Sequence, residues 1–235
     1  MIKGIFHSSR SMMAAAKNME IVANNLANLN TVAFKREGSF SEIMTAVGNS
    51  QIKSAIDLSQ GEIYKTSNTY DLAIVGEGTF VIKTDDGYEF TRNGSFRVSD
   101  DGFLINERGQ KVMGKKGEIN LSESFLNDKN SVLISRQGEV KIGDVSLDEL
   151  LIVKINPDDY EKRRIGLNFN ANEEIQEVID SEKYQIMQGY LEESNVNPIL
   201  EMENMINVSK DYETSYKMIT YLDHSLEKSN EIGRI

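Results

Sequence analysis

The residues of this sequence whose types could carry acid–base or metal chemistry are two histidines, His7 and His224, and a series of adjacent carboxylates. A zinc site needs three or four ligands at close range. The two histidines stand near opposite ends of the chain and no cysteine supplies a thiolate, so ordinary helix-surface or packing roles are expected for both and no metal is implied. The acidic pairs are Asp85-Asp86, Asp100-Asp101, Asp158-Asp159, Glu173-Glu174 and Glu192-Glu193. General acid–base work needs carboxyl groups held together in contrasting environments. Three of these pairs adjoin Gly or Pro turn signals and no spacing brings two pairs together, so turn chemistry and solvation are the expected roles. Gly76-Glu77-Gly78 begins a nucleotide fingerprint, but Val81 stands where the third glycine would be and a strand pattern follows. It reads as a tight turn into a strand. The serines have no nucleophile elbow, and both histidines fall on packing helices, which leaves a hydrolytic triad without a base. The expectation is a protein that is not an enzyme and takes no cofactor.

The bulk properties narrow the partners. A net charge of −11 with a pI near 4.8, and no local run of Lys or Arg, gives no footprint for gripping phosphate backbones, so nucleic acid is not expected. The N-terminus, Met1-Ile2-Lys3-Gly4-Ile5-Phe6-His7-Ser8-Ser9-Arg10, has no continuous apolar stretch with a small-residue cleavage site behind it. No window approaches the roughly 18 to 20 apolar residues that span a bilayer. Membrane insertion is therefore not expected, and any route out of the cytoplasm would not read a cleavable signal peptide. The chain of 235 residues, 39% hydrophobic with two prolines, is sufficient for a core in one domain or two modest ones.

The elements that must position these residues are legible from two different periods. Ile5, Met12, Met19 and Leu26 fall seven apart, and Ser8, Ala15, Val22 and Leu29 make a second row three residues on. Met205, Tyr212, Ile219 and Leu226 repeat the pattern near the other end, with Val208, Ser215, Leu222 and Ser229 beside them. These are paired a/d rows, which predict an amphipathic helix at each end of the chain and a coiled-coil or assembly role for the seam. Each helix, about 45 Å long, has an apolar stripe that solvent cannot satisfy, so the two are expected to pair. Asn24, Asn25, Asn28 and Asn30 interrupt the first stripe, where asparagine either fixes helix register or ends the helix.

Between the helices the period falls to two and turn signals arrive about every eight to ten residues, which predicts twisted sheet. Phe80 and Ile82 precede Asp85-Asp86-Gly87; Tyr88 and Phe90 precede Arg92-Asn93-Gly94; Phe96 and Val98 precede Asp100-Asp101-Gly102; Phe103 and Ile105 precede Glu107-Arg108-Gly109. Each reads as a hairpin. Val132–Ile134 and Val140–Ile142 flank Arg136-Gln137-Gly138, and an apolar strand follows at Leu150–Ile155. The expected fold is α+β, a discontinuous helical coiled-coil domain from both termini with an inserted all-β domain of successive hairpins. The expected divisions are an N-terminal helix at 1–36, an extended connector at 37–70, a β-rich outer domain at 71–187, a return connector at 188–198 and a C-terminal helix at 199–235.

The segment Ala23-Asn24-Asn25-Leu26-Ala27-Asn28-Leu29-Asn30-Thr31-Val32-Ala33-Phe34-Lys35-Arg36 resembles the N-terminal signature of the flagellar rod and hook proteins. Tyr70–Phe80 and Tyr88–Phe96 resemble the beginning of that family's β domain. Gln188–Asn197, with Ser194, Asn195 and Val196, and the following Glu201–Ile206 resemble its C-terminal signature. The three motifs occur in order and span nearly the whole chain. The chain departs from the pattern at Ala33, where the family usually has Gly before Phe34-Lys35, and at Thr79, where a second aromatic is common. Alanine disfavours a positive φ, so the bend after the first helix is expected to differ.

The resemblance implies a structural subunit that assembles helically with itself and other rod or hook subunits into a hollow drive shaft. It also implies helices lining the inner tube, a β domain facing outward, and delivery to the periplasmic rod by the flagellar type III export apparatus. The short connector and Pro198 favour a proximal-rod type, with a distal-rod or hook-family subunit as the alternative. A reading from another class is a secreted glycan-binding β module oligomerised by its helices.

Overall fold

The computed structural model describes residues 2–38, 56–85, 87–122, 132–143, 145–154, 164–165, 168–170, 177–180 and 183–232. The chain is α+β, with a helix near each end and a β-rich region of antiparallel strands inserted between them. It divides into two compact units, one of residues 1–29, 36–57 and 196–235, the other of residues 30–35 and 58–195. Half of the expected connector, residues 39–55, lies outside the described residues.

In the first unit α1 (Ile2–Ala27) and α2 (Pro198–Ile232) lie side by side. Gly4, near the start of α1, faces Leu222 in the second half of α2, so the pair is antiparallel. The start of α2 is fixed by local chemistry. Asn197 Oδ1 accepts hydrogen bonds from the Ile199 and Leu200 amides at 3.0 and 3.3 Å, which caps two of the amides a helix leaves unpaired. Pro198 follows at the first helical position, where its missing N–H costs nothing. At the other end of the unit's first helix, the Asn28 amide group donates to the Asn24 carbonyl at 2.8 Å, closing the last turn of α1.

The second unit is built from antiparallel strands. Among the described residues the largest sheet contains β3 (Thr79–Thr84), β4 (Gly87–Thr91), β5 (Arg97–Val98), β6 (Leu104–Ile105) and β7 (Lys111–Val112). β3 is its centre, bonded to β4 on one side and on the other to β7 and to β11 (Ile152–Lys154). Phe80, Val81 and Ile82 are all buried, so β3 is covered on both faces. Phe80 meets Phe96 edge to face at 5.1 Å, inside a core shared with Leu72, Ile74, Leu104 and Ile186. The remaining strands of that sheet are β12 (Arg164–Ile165), β13 (Asn168–Asn170) and β14 (Glu177–Val178).

A separate three-stranded meander contains β8 (Val132–Ile134), β9 (Glu139–Ile142) and β10 (Val145–Glu149). Two long-range pairs complete the unit. β2 (Leu72–Gly76) pairs with β15 (Tyr184–Gln188), and β1 (Ile63–Lys65) pairs with β16 (Tyr190–Glu192).

The hairpins around Asp85-Asp86-Gly87, Asp100-Asp101-Gly102, Glu107-Arg108-Gly109 and Arg136-Gln137-Gly138 match the strand pairings, although Asp86 itself lies outside the described residues. Arg92-Asn93-Gly94 does not form a hairpin. β4 pairs with β3 and β13, and the chain then turns away, so that Ser95 bridges Asp71 and the Gly94 carbonyl accepts from the Leu72 amide at 3.0 Å. A methyl group at Gly94 would collide with the Leu72 carbonyl oxygen, and this close approach, not turn chemistry, is what the glycine permits. The expected strand at Leu150–Ile155 is β11, with Ile155 outside the described residues.

Candidate assembly site

On α1 the second of the two expected rows is the more deeply buried: Ala15 and Val22 are buried together with Asn18 and Asn25, whereas Ile5, Met12, Met19, Leu26 and, just past the helix, Leu29 are half-buried. The four buried residues are spaced three, four and three apart, so the contact is centred on that second row and the two asparagines beside it. On α2, Met205, Ile219, Leu222 and Leu226 are half-buried, with Val208 and Ser215 buried behind them. Tyr212 lies at the margin, 38% exposed, and Ser229 is exposed.

Asn25 does not serve as a register-setting polar residue facing another helix. Its Nδ2 donates to the Glu37 carbonyl at 2.9 Å and its Oδ1 accepts from the Glu37 amide at 3.0 Å. The side chain imitates a strand partner and holds the returning backbone against α1. Glu37 in turn bridges Ile56. In the same unit Arg36 Nε contacts Glu201 Oε1 at 2.6 Å, with Glu201 fully buried in the first turn of α2. A carboxylate there faces the positive end of the helix dipole. Both residues lie in the signature segments, Arg36 in the first and Glu201 in the last, but no local spacing pairs them.

In the second unit the N- and C-terminal signatures meet. The Ala33 amide donates to the Glu192 carbonyl at 2.8 Å, and the Asn195 amide donates to the Phe34 carbonyl at 3.3 Å. Asn195 Nδ2 also reaches the carbonyl and hydroxyl oxygens of Ser59, both at 3.1 Å. Phe34 is 1% exposed. Beside it the Lys35 ammonium donates to Glu192 Oε1 and to the Ser59 carbonyl, each at 2.6 Å. The Gly61 amide donates to the same carboxylate oxygen at 3.0 Å, and Arg92 Nε lies 3.7 Å from Oε2. Glu192, 1% exposed, is therefore the centre of a buried charge network and not the solvated turn residue expected of an acidic pair. The spacing of Glu192 from Lys35 along the chain hides this partnership.

Ala33 adopts φ 56°, contrary to the expectation drawn from its side chain. The backbone stays left-handed because the hydrogen bonds on either side, with buried Phe34 between them, determine it more strongly than the Cβ opposes it. The second departure is absorbed differently: Thr79 is buried and its hydroxyl donates to the Val153 carbonyl at 3.1 Å.

Of the remaining signature residues, Asn24 is exposed, Asn28 and Ser194 are half-buried, and Val196 is buried. His7 and His224 are both exposed, His224 lying 3.5 Å from Glu227. Asp100 and Asp101 are exposed at a turn, while Asp158-Asp159 and Glu173-Glu174 lie outside the described residues. Among the described residues no helix is long and apolar enough to cross a membrane.

The Lys35–Glu192 and Arg36–Glu201 pairs and the bonds of Ala33, Phe34 and Asn195 tie the residues that follow the first helix to those around the start of the last. Three family models match its three segments: "Flagella basal body rod protein" over residues 6–35, "Flagellar hook protein FlgE/F/G D1 domain" over 73–142, and "Flagellar basal body rod FlgEFG protein C-terminal" over 187–232. The flagellar basal-body rod protein FlgF of Caulobacter vibrioides is 32% identical across 92% of this chain and 91% of its own length. FlgF of Mesorhizobium japonicum is 27% identical, covering 87% of each, and FlgG of Buchnera aphidicola subsp. Schizaphis graminum is 29% identical over 99% of this chain and 100% of its own. The chain belongs to the flagellar basal-body rod protein family, the structural subunits of the rod in the bacterial flagellum.

Proposed function

We propose that this chain polymerises helically, with itself and with other rod or hook subunits, into a hollow drive shaft that transmits torque and encloses an export channel lined by α1 and α2. The observation that carries this reading is the state of those helices. After they pair, Phe6, Met13, Ile199, Met202, Ile206 and Tyr221 are still more than half exposed, far more apolar surface along two helices than solvent favours. A rod neighbour covers it. The seam residues Ile5, Met12, Met19, Leu26, Leu29, Met205, Tyr212, Ile219, Leu222 and Leu226 then act as the joint that holds each helix pair in shape for its neighbours, in the manner of a coiled coil.

The chain's work on this reading is mechanical, needs no cofactor, and takes place in the periplasmic section of the basal body after passage through the flagellar type III apparatus. A proximal position is favoured by length. The alignment to FlgG extends over 269 residues, more than the chain itself has, so this chain lacks segments that FlgG carries, whereas the alignment to the Caulobacter FlgF extends over 234.

Electron microscopy of the concentrated protein tests the reading. Helical polymers or tubes are expected, and Ile219→Asp should remove them while the β-rich unit keeps its spectrum, because a carboxylate forced into an apolar contact costs several kcal/mol. A wild-type protein that stays monomeric at every concentration, or an Ile219→Asp strain with normal motility, would sink it.

A further inference from the structure

Three asparagines stand two residues before a serine with no proline between them: Asn93-Gly94-Ser95, Asn120-Leu121-Ser122 and Asn207-Val208-Ser209. This is the pattern on which an N-linked glycan is built. Bacterial transferases read one residue more, a carboxylate two positions before the acceptor. That position holds Thr91, Glu118 and Met205 in turn. Only Glu118-Ile119-Asn120-Leu121-Ser122 is complete.

The structure separates the three in the same way. Asn93 is half-buried, its Oδ1 accepts from the Ser95 amide at 2.9 Å, and the Gly94 that follows is buried against the Leu72 carbonyl. Asn207 lies within α2, where the helix buries the next residue, Val208. Asn120 is exposed, between Ile119 and Leu121, which are buried. Its Oδ1 accepts from the Ser122 amide at 2.8 Å, and the Ser122 hydroxyl lies within donating reach of the same oxygen and of the Asp101 carbonyl. Asn120 Nδ2 makes no hydrogen bond among the described residues. A sugar on that nitrogen stands in solvent and displaces no contact that holds the sheet.

We propose that Asn120 is the acceptor of an N-linked glycan, transferred from a polyprenyl-diphosphate-linked oligosaccharide while the strand around it is still open. The inference rests on the reading that this chain leaves the cytoplasm, because such donors are presented on the outer side of the inner membrane. In the transfer, Asn120 Nδ2 attacks the anomeric carbon of the first sugar. A nitrogen–carbon bond forms and the bond from that carbon to the diphosphate oxygen breaks. The lipid diphosphate leaves with the electron pair of the broken bond, and one amide proton passes to a base of the transferase. Nothing is oxidised or reduced. The timing follows from what the fold does to the pattern. In the folded chain the Glu118 carboxylate is held by Lys83 at 2.8 Å and Lys111 at 2.6 Å. The Ile119 amide donates to the Val112 carbonyl at 3.1 Å and the Leu121 amide to the Gly102 carbonyl at 2.7 Å, which fixes the backbone on either side of Asn120. A transferase takes the pattern into its own cleft and needs that carboxylate free and that backbone unpaired. Transfer therefore precedes closure of the sheet, and the product folds with its glycan outside.

The test combines the full-length chain, a purified bacterial oligosaccharyltransferase and an undecaprenyl-diphosphate-linked oligosaccharide whose first sugar is an N-acetylated hexosamine. The chain is either diluted from urea at the start of the reaction or folded beforehand, and peptide mass spectrometry locates the product. A glycan is expected on Asn120 and on neither Asn93 nor Asn207. It should form at least about tenfold faster in the chain just released from urea, since a folded strand exposes the pattern only by rare opening. Asn120→Gln and Ser122→Ala should remove the product. Glu118→Gln should reduce it sharply in the chain released from urea, where the contacts with Lys83 and Lys111 are absent, so that loss reports recognition by the enzyme and not a change in the fold. The refolded glycosylated chain should keep the circular dichroism and urea midpoint of the bare one. The inference is overturned if a peptide of the same five residues is modified while Asn120 in the chain stays bare, or if Asn93 or Asn207 is modified as readily. A folded chain that reacts as fast as the unfolded one overturns the order of events. Because the reaction uses purified components, failure of transfer leaves the rod-subunit reading standing, and failure to polymerise leaves the transfer result standing.

Discussion

The Lys35 ammonium and the Glu192 carboxylate, 157 residues apart in the chain, meet at 2.6 Å with both side chains almost fully buried. Removing one partner leaves the other charged and without its principal counterion, which costs about 3–5 kcal/mol for pairs of this kind. Lys35→Met and Glu192→Gln should therefore each lower the urea midpoint of the full chain sharply. Lys35→Met combined with Glu192→Leu should recover much of the loss, since replacing both charges by apolar groups is often neutral. Equal midpoints for the singles and the wild type would mean that the pair contributes nothing to stability.

Ala33 at φ 56° gives a second expectation. The left-handed region costs an alanine about 1–2 kcal/mol, and glycine, free of that cost, gives back about 0.4–1 kcal/mol through its more flexible unfolded chain. Ala33→Gly should stabilise by a net of about 0.5–1 kcal/mol on these figures, and Ala33→Val should destabilise. Thermal unfolding of the two variants measures this. A destabilising Ala33→Gly would show that the strain is not where the backbone angle places it.

Asn25 is expected to matter through one backbone segment. Asn25→Ala removes both hydrogen bonds to Glu37 and costs about 1–3 kcal/mol if those groups are left unsatisfied. Amide exchange at Glu37 should accelerate well beyond that of residues on α2. Unchanged protection at Glu37 would contradict the clamp.

Glu118 provides the pH dependence. Hydrogen bonds from Lys111 at 2.6 Å and Lys83 at 2.8 Å hold its carboxyl below the usual carboxylate range. A depressed carboxyl contributes stability that is complete above its ordinary value, about 4.3, and is lost as the pH falls through the lowered folded value. Carbon-13 titration should find Glu118 below that ordinary value and shift it upward in Lys111→Met. A normal value in the wild type would remove this contribution.

How much of this was readable beforehand depends on the distance between the residues involved. The helices and most hairpins follow from patterns a few residues long: Phe80 and Ile82 alternate, Asp100-Asp101-Gly102 marks its own turn, and Asn197-Pro198 starts α2. Glu192 stands beside Glu193 and reads as part of a solvated pair, and only the fold brings Lys35, Gly61 and Arg92 to it. Gly94 differs from its local pattern for a related reason. A local signal says turn, but the need for glycine comes from Leu72, a contact across the sheet. Ala33 shows the converse, where a local preference is overruled by hydrogen bonds to Glu192 and Asn195.

The pairing of α1 with α2 has a kinetic consequence. Their contact closes a loop containing most of the chain, and loop-closure entropy makes such a contact late compared with the hairpins. A chain emerging from the N-terminus cannot form it until Pro198 to Ile232 has appeared. A chain truncated before α2 therefore keeps α1 without the helix it packs against, and buried positions such as Ala15 and Val22 lose their cover.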